Sequence, residues 1–215
     1  MNGRSEESLM SAYASGDERA FGELFGRLAP RVHAFFLRAF GSTSVAEELM
    51  QITFLKLHRA RDTYQAALPL RPWLFTIAAR VRGDERRKRS LRAEDEGDDA
   101  LDAAEAQNPI AARQEAQLEE RELMVRVRAA LDELPESQRV VLQLHRFEEL
   151  TFAEIAKVLG TSEGAVRVRA CRAYETLRRK LGAFLVDDER PVAQRADALV
   201  PAPRPASHAE EGDER

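Results

Sequence analysis

The chain has 215 residues, 44% hydrophobic and 33% charged, with a formal net charge of -4 and one cysteine. That length suffices for one or two small domains with buried cores. The lone Cys171 excludes an internal disulfide and suits a reducing compartment, and no apolar run approaches the ~18 residues a membrane span needs.

Residues Met1 to Met10 are polar and acidic rather than a basic-then-apolar leader, which argues against secretion and for a cytoplasmic protein. Ser5, Ser8 and Ser11 read as part of this polar leader. His33, His58, His145 and His208 have no ligand-like spacing to one another or to Cys171. Neither a metal nor another cofactor is therefore expected.

Phe21, Leu24, Phe25, Leu28, Val32, Phe35, Phe36 and Ala39 keep helical spacing over five turns, with Pro30 marking a kink or a fresh start. Gly41 ends that helix. Ser44 with Glu47 reads as a capping box opening a second helix, whose stripe is Ala46, Leu49, Met50, Thr53 and Leu57. Ile52, Phe54 and Leu55 lie off that stripe. The helix is thus either buried on two sides or offers one side to a protein partner.

A loop over Arg61 to Arg71 follows, and Pro72 suits the first turn of a third helix. That helix carries Trp73, Leu74, Phe75, Ile77, Ala78 and Val81, then turns basic through Arg80, Arg82, Arg86, Arg87, Lys88 and Arg89. Rings beside arginines are what a site for unpaired strands needs, since rings stack on bases while arginines hold phosphates. A core position is the commoner use of a lone tryptophan such as Trp73.

Acid then dominates. Residues 93–120 hold ten acids against Arg113, and residues 187–215 hold eight against four arginines, so the remainder carries about +9. Both acidic segments have the Ala, Glu, Asp, Pro and Gln bias of weakly ordered chain. The organisation expected is all-α: a helical domain over 1–92, a flexible acidic linker over 93–117, a second helical domain over 118–186 and a disordered tail over 187–215.

Thr151 to Lys180 reads as a helix-turn-helix. Phe152, Ile155, Ala156 and Leu159 form one buried stripe, Thr151 with Glu154 caps it, Gly160 stops it in a left-handed turn, and Ser162 caps the next helix. Ala156 and Val166 sit where the two helices would cross. The second helix sets Arg167, Arg169 and Arg172 near its exposed side and Arg178, Arg179 and Lys180 at its end, where cations suit the helix dipole. This is a face for duplex DNA.

Two sets of residues together carry a resemblance. Ala46 to Phe54, then Arg71-Pro72-Trp73-Leu74-Phe75 with Ile77-Ala78, then Asp84 before Arg86-Arg87-Lys88, resemble region 2 of bacterial sigma factors of the extracytoplasmic function group. Leu134-Pro135, Gln138-Arg139, Phe152, Glu154-Ile155-Ala156, Gly160 and Gly164-Ala165-Val166-Arg167 resemble region 4 of the same group. Ile52 stands where the group commonly has Glu, and Arg80 where it commonly has Asn.

The resemblance implies a dissociable subunit of RNA polymerase, a DNA-binding initiation factor and not an enzyme. Glu48, Gln51 and Phe54 would contact the polymerase beta-prime clamp, and region 4 the beta flap. Arg71, Trp73, Arg80, Arg86 and Arg87 would hold the separated strand of the promoter -10 element. Ser162, Glu163, Arg167, Arg169 and Arg172 would read the -35 element. An anti-sigma protein is an implied partner; a membrane is not. The alternative is a helix-turn-helix regulator that acts without joining the polymerase.

Magnitudes favour a polymerase partner. Opening roughly ten base-pair steps at ~1.4 kcal/mol each costs about 14 kcal/mol, comparable to a whole specific DNA affinity. A linker of about 25 residues reaches at most ~85 Å, enough for the ~70 Å between sites two helical turns apart, while a relaxed coil spans only ~30 Å. The bound form must therefore stretch.

Overall fold

A computed structural model describes residues 4–96 and 125–182, and among them every regular element is helical. The first half contains α1 (Glu6–Ala14), α2 (Glu18–Phe40), α3 (Thr43–Ala60) and α4 (Leu70–Glu96), with a 3-10 turn at Arg61–Thr63 after α3. The second half contains α5 (residues 125–132), α6 (Glu136–Arg146), α7 (Phe152–Leu159) and α8 (Glu163–Gly182).

The segment expected to be a polar leader is instead helix α1. Ser5 caps it by accepting the Ser8 N–H at 3.1 Å, and Glu6 and Glu7 sit in its first turn, where acid suits the helix dipole. Leu9, Met10 and Tyr13 are buried against the rest of the first half. Three core residues in nine are too short a pattern to announce a helix without its packing partner.

α2 runs unbroken through Pro30 to its left-handed cap at Gly41 (φ 72°). Proline removes one backbone donor and crowds the preceding turn, but buried Leu28, Ala29 and Val32 around it anchor the helix on both sides. α3 opens at Ser42 rather than Ser44: the Ser42 hydroxyl accepts the Val45 N–H at 3.4 Å. The turn at Gly41 lets the chain re-enter helix at once, which leaves Ser44 inside the first turn.

Of the two arrangements open for the apolar residues off the α3 stripe, Phe54 takes the buried one. Only 4% exposed, its ring meets Phe25 edge-on at 4.7 Å and Phe21 at 6.4 Å. The surplus apolar surface of α3 therefore reduces to Leu55, 49% exposed, flanked by half-buried Ile52 and Met50. Behind α3, Phe35 packs edge-to-face with Phe36 and Phe75 at 5.4 and 5.5 Å and joins α2 to α4.

Pro72 falls in the first turn of α4, as read from the sequence, and the Leu70 N–H at the start of that helix is capped from α1 by Glu7 Oε1 at 3.3 Å. α4 continues to Glu96, beyond the residue-92 boundary expected for the first domain. The rest of the linker, the opening of the second domain and the tail over 187–215 lie outside the described residues.

α7 packs on α4, and one hydrophobic cluster runs from Leu74 and Val81 in the first half to Val141, Leu144 and Ile155 in the second. A smaller cluster of Leu134, Leu142 and Ala173 ties α6 to α8. Charge lines the junction between the halves. Arg82, 2% exposed, pairs with Glu136 at 2.5 Å and donates to Gln143. Burial pushes its guanidinium down to about 10 against the pull of Glu136. Glu148, 1% exposed, is held by Arg31 at 2.9 Å, and burial raises its carboxyl in spite of Arg31 and Arg38.

Candidate nucleic-acid interface

Local chemistry builds the helix-turn-helix as the sequence indicates. Thr151 and Glu154 form a reciprocal capping box, the Glu154 N–H donating to the Thr151 hydroxyl at 3.3 Å and the Thr151 N–H to the Glu154 carboxylate at 2.8 Å. Gly160 takes the left-handed conformation (φ 62°), and Ser162 accepts the Ala165 N–H at 3.2 Å to open α8. Ala156 and Val166 are both buried in the core beneath.

The outer face of α8 consists of Gly164, Arg167, Val168, Cys171, Arg172 and Glu175, all exposed. Successive members lie alternately three and one residues apart, so that alternate members are four apart, the spacing of a single helical face. Arg167 and Arg172 belong to it. Arg169 lies about 200° round the helix from Arg167 at 3.6 residues per turn, and it is half-buried on the flank. Ser162 and Glu163 sit at the entry to α8, with Ser162 engaged as its cap.

Two neighbours orient Arg167. Its Nε donates to Glu163 Oε1 at 3.0 Å and its Nη2 to the same oxygen at 2.5 Å, while the guanidinium lies 5.4 Å from the Phe152 ring centre. Val168, 50% exposed, adds an apolar contact beside the arginines, of the kind that meets a thymine methyl in the major groove. Sequence reading missed Val168 and Cys171, although counting in threes and fours from Gly164 reaches both. A hydrogen bond to Glu175, 3.5 Å away, pushes the Cys171 thiol up, so it stays protonated at neutral pH.

On α3, Glu48, Gln51, Leu55 and Arg59 are exposed and spaced by three or four residues. This row begins acidic, becomes apolar and ends basic, a mixed surface suited to a protein partner. Glu48 and Gln51 stand on it. Phe54 supports the row from inside, while Leu55 is the member exposed to solvent.

The α4 residues fall into two groups. Trp73 is half-buried, its ring tilted against Tyr64 at 5.2 Å, beside the loop that carries exposed Leu68. The Tyr64 hydroxyl donates to the Leu68 carbonyl at 2.7 Å, and burial raises that phenol to about 12. Arg80 and Arg87 are exposed; Arg87 pairs with Asp84 at 2.5 Å, and Arg80 has no ion-pair partner among the described residues. Arg71 and Arg86 are engaged instead. Arg71 grips Glu6 with two bonds of 2.9 Å, and Arg86 pairs with Glu136 of the second half at 2.7 Å.

Among the described residues no group of three or more His, Cys, Asp or Glu side chains is placed to hold a metal ion. No helix among them is long and apolar enough to cross a membrane.

Residues 24–92 match the family model of Sigma-70 region 2, and residues 124–177 that of Sigma-70, region 4. The RNA polymerase sigma factor CarQ of Myxococcus xanthus is 35% identical over 181 residues, spanning 84% of this chain and 100% of that one. The ECF RNA polymerase sigma factor SigM of Mycobacterium tuberculosis is 28% identical over 179 residues, spanning 83% of this chain and 86% of its own. The solved structure of CnrH in complex with the cytosolic domain of CnrY superposes with a TM-score of 0.58 at 29% identity, covering 85% of this chain and 98% of CnrH.

Proposed function

The chain belongs to the sigma-70 family, in the extracytoplasmic function group of RNA polymerase sigma factors, and from that membership we propose how its surfaces divide the work. It is a sigma initiation factor, which binds core RNA polymerase and promoter DNA. The exposed row Glu48, Gln51 and Leu55 on α3 meets the polymerase clamp, with Phe54 holding the row in shape from beneath. Trp73, Arg80 and Arg87 on α4 stack on and neutralise the separated -10 strand, joined by Arg71 and Arg86 once these are released from their carboxylates. α8 enters the major groove of the -35 element with Arg167, Val168 and Arg172 foremost, and Ser162, Glu163 and Arg169 flank them.

One observation carries this reading: a capped helix-turn-helix with a basic outer face shares a chain with an aromatic-and-arginine helix and an unpartnered α3 row. A duplex-only regulator has no use for the last two. The domain limits follow the same division, with region 2 to about residue 92, an acidic linker over 93–117 and region 4 over 118–186. We assign the chain no catalytic step and a cytoplasmic location, where polymerase works. We also infer an inhibitory anti-sigma protein; the complex of CnrH with the cytosolic domain of CnrY supports a second protein binding this fold.

The test is transcription of a genomic fragment library by core polymerase with and without this protein, with mapping of transcript 5′ ends. Discrete new start sites preceded by two shared sequence elements are expected. Duplex binding without any association with core polymerase would establish the alternative, a free-standing regulator.

A further inference from the structure

The loop between α3 and α4 has no core of its own. From residue 58 to residue 69 no side chain is buried, and residues 65–69 are all exposed. Such a segment takes its conformation from its own hydrogen bonds and from whatever grips its ends. Inside the loop the Thr63 hydroxyl donates to the Ala60 carbonyl at 2.7 Å and the Leu68 N–H to the Gln65 carbonyl at 2.9 Å, while the Tyr64 hydroxyl closes on Leu68. Both ends are gripped from α1. At the entry the Tyr13 hydroxyl is hydrogen-bonded to His58 Nδ1, and Arg61 Nη1 donates to the His58 carbonyl at 2.9 Å. At the exit Glu7 Oε1 accepts the Leu70 N–H at 3.3 Å, beside the pair of Glu6 with Arg71.

We propose that α1 is a brace for strand capture: Glu7 and Tyr13 are positioning residues that set the loop between α3 and α4, and through Tyr64 they set Trp73. The inference rests on the reading of Trp73 and α4 as the strand-holding surface.

Three observations support it. First, α1 is itself a fixed support. Leu9 and Met10 are fully buried and the Tyr13 ring lies 4.7 Å from that of Phe21, so core packing holds the helix and frees its polar groups for the loop. Second, the chain of contacts to Trp73 is continuous. Tyr64 lies between the two gripped ends with its ring 5.2 Å from that of Trp73, and burial together with the nearby Glu7 carboxylate raises its phenol to about 12. The phenol therefore stays protonated at neutral pH and keeps its bond to Leu68. Third, the Glu7 bond goes to the backbone. It survives when Arg71 leaves Glu6 for a phosphate, so the loop stays set while the arginines turn to the strand. A ring that stacks on an unpaired base binds best when already in place, because fixing a mobile side chain costs rotamer entropy.

The test uses the full chain. Trp73 is its single tryptophan, so acrylamide quenching of fluorescence in the free protein reads how firmly that ring is placed. Permanganate reactivity of an opened promoter with polymerase holoenzyme reads strand capture. Glu7→Ala combined with Tyr13→Phe should raise the quenching constant about twofold and lower promoter opening about tenfold, the scale of losing one stacked base. Affinity for core polymerase and for an upstream-element duplex should stay within about twofold, since those contacts share no partner with Glu7 or Tyr13. Glu7→Gln keeps an oxygen for the Leu70 N–H and should preserve both quenching and opening; damage equal to that of Glu7→Ala would overturn the brace. Unchanged quenching in the double variant overturns it too, as does a matching loss of duplex affinity, which marks a folding defect. The strand reading is judged separately by Arg80→Ala with Arg87→Ala, residues outside the brace. If that pair lowers opening while the brace variants raise quenching and open normally, the brace is wrong; if that pair opens normally, the strand reading fails and the function of the brace with it.

Discussion

Replacing Arg167 by alanine isolates the duplex-reading role of α8. The side chain is 63% exposed, and its ion-pair partner is Glu163, one helical turn earlier. An exposed i, i+4 pair of this kind contributes only ~0.3–0.5 kcal/mol, so releasing Arg167 from Glu163 costs little. A bidentate contact from arginine to the O6 and N7 of a guanine discriminates by ~1–3 kcal/mol. The net loss on truncation is therefore about 0.5–2.7 kcal/mol, or roughly 2- to 100-fold in promoter binding. The assay is holoenzyme binding and transcription on promoters substituted one base pair at a time through the upstream element. Arg167→Ala should flatten the preference at one position while the others keep theirs. An equal loss on every template, with the salt dependence falling by about one counterion, would show a phosphate contact instead and refute the base-reading assignment.

Leu55→Asp should weaken binding to core polymerase ~10- to 100-fold, on the scale of an interface hot spot, and leave the melting temperature unchanged because the residue is half exposed. A matching loss of stability would remove Leu55 from the contact row. Phe54→Ala should act the other way, lowering the unfolding free energy by about 3 kcal/mol through the cavity it leaves beside Phe25, as read by urea denaturation. Thr151→Ala deletes one half of the capping box and should cost ~1 kcal/mol, measured the same way, with α7 the element that frays first in hydrogen exchange. Asp17 caps α2, and hydrogen bonds from the Ala20 N–H and from Arg4 hold its carboxyl below its ordinary value. Its contribution is thus present above the ordinary carboxylate value and is lost as pH falls through the lowered one. Asp17→Asn should therefore flatten the melting temperature between about pH 5 and pH 2, and an unchanged slope would exclude the cap as its source.

The helix-turn-helix was legible because its signals are local. A capping box, a left-handed glycine and a serine cap each act within four residues, so Thr151, Gly160 and Ser162 announce the motif whatever packs against it. Gly41 ended α2 for the same reason. Ser42 and Ser44 show the limit of local signals, since either serine could cap and the geometry of the preceding glycine turn chose between them. Arg167 and Arg172 were found by charge, whereas Arg169 carries the same charge on a different side of the helix. Pro30 reads as a break, yet packing on both sides of it held α2 together.

The family, the all-helical class and the types of surface were determined by the sequence alone, since helical periodicity, capping chemistry and the order of motifs are written at short range. Burial was decided by the tertiary structure. Phe54 and Leu55 are adjacent apolar residues on one helix, and only the positions of Phe21 and Phe25 on α2 make the first core and the second surface. The junction of the halves lies further still from sequence, because Arg31 and Glu148 are 117 residues apart and neither is unusual in its own segment. An ion pair of that separation has no local signature; it exists because the packing of α7 on α4 buries Glu148 beside the half-exposed Arg31.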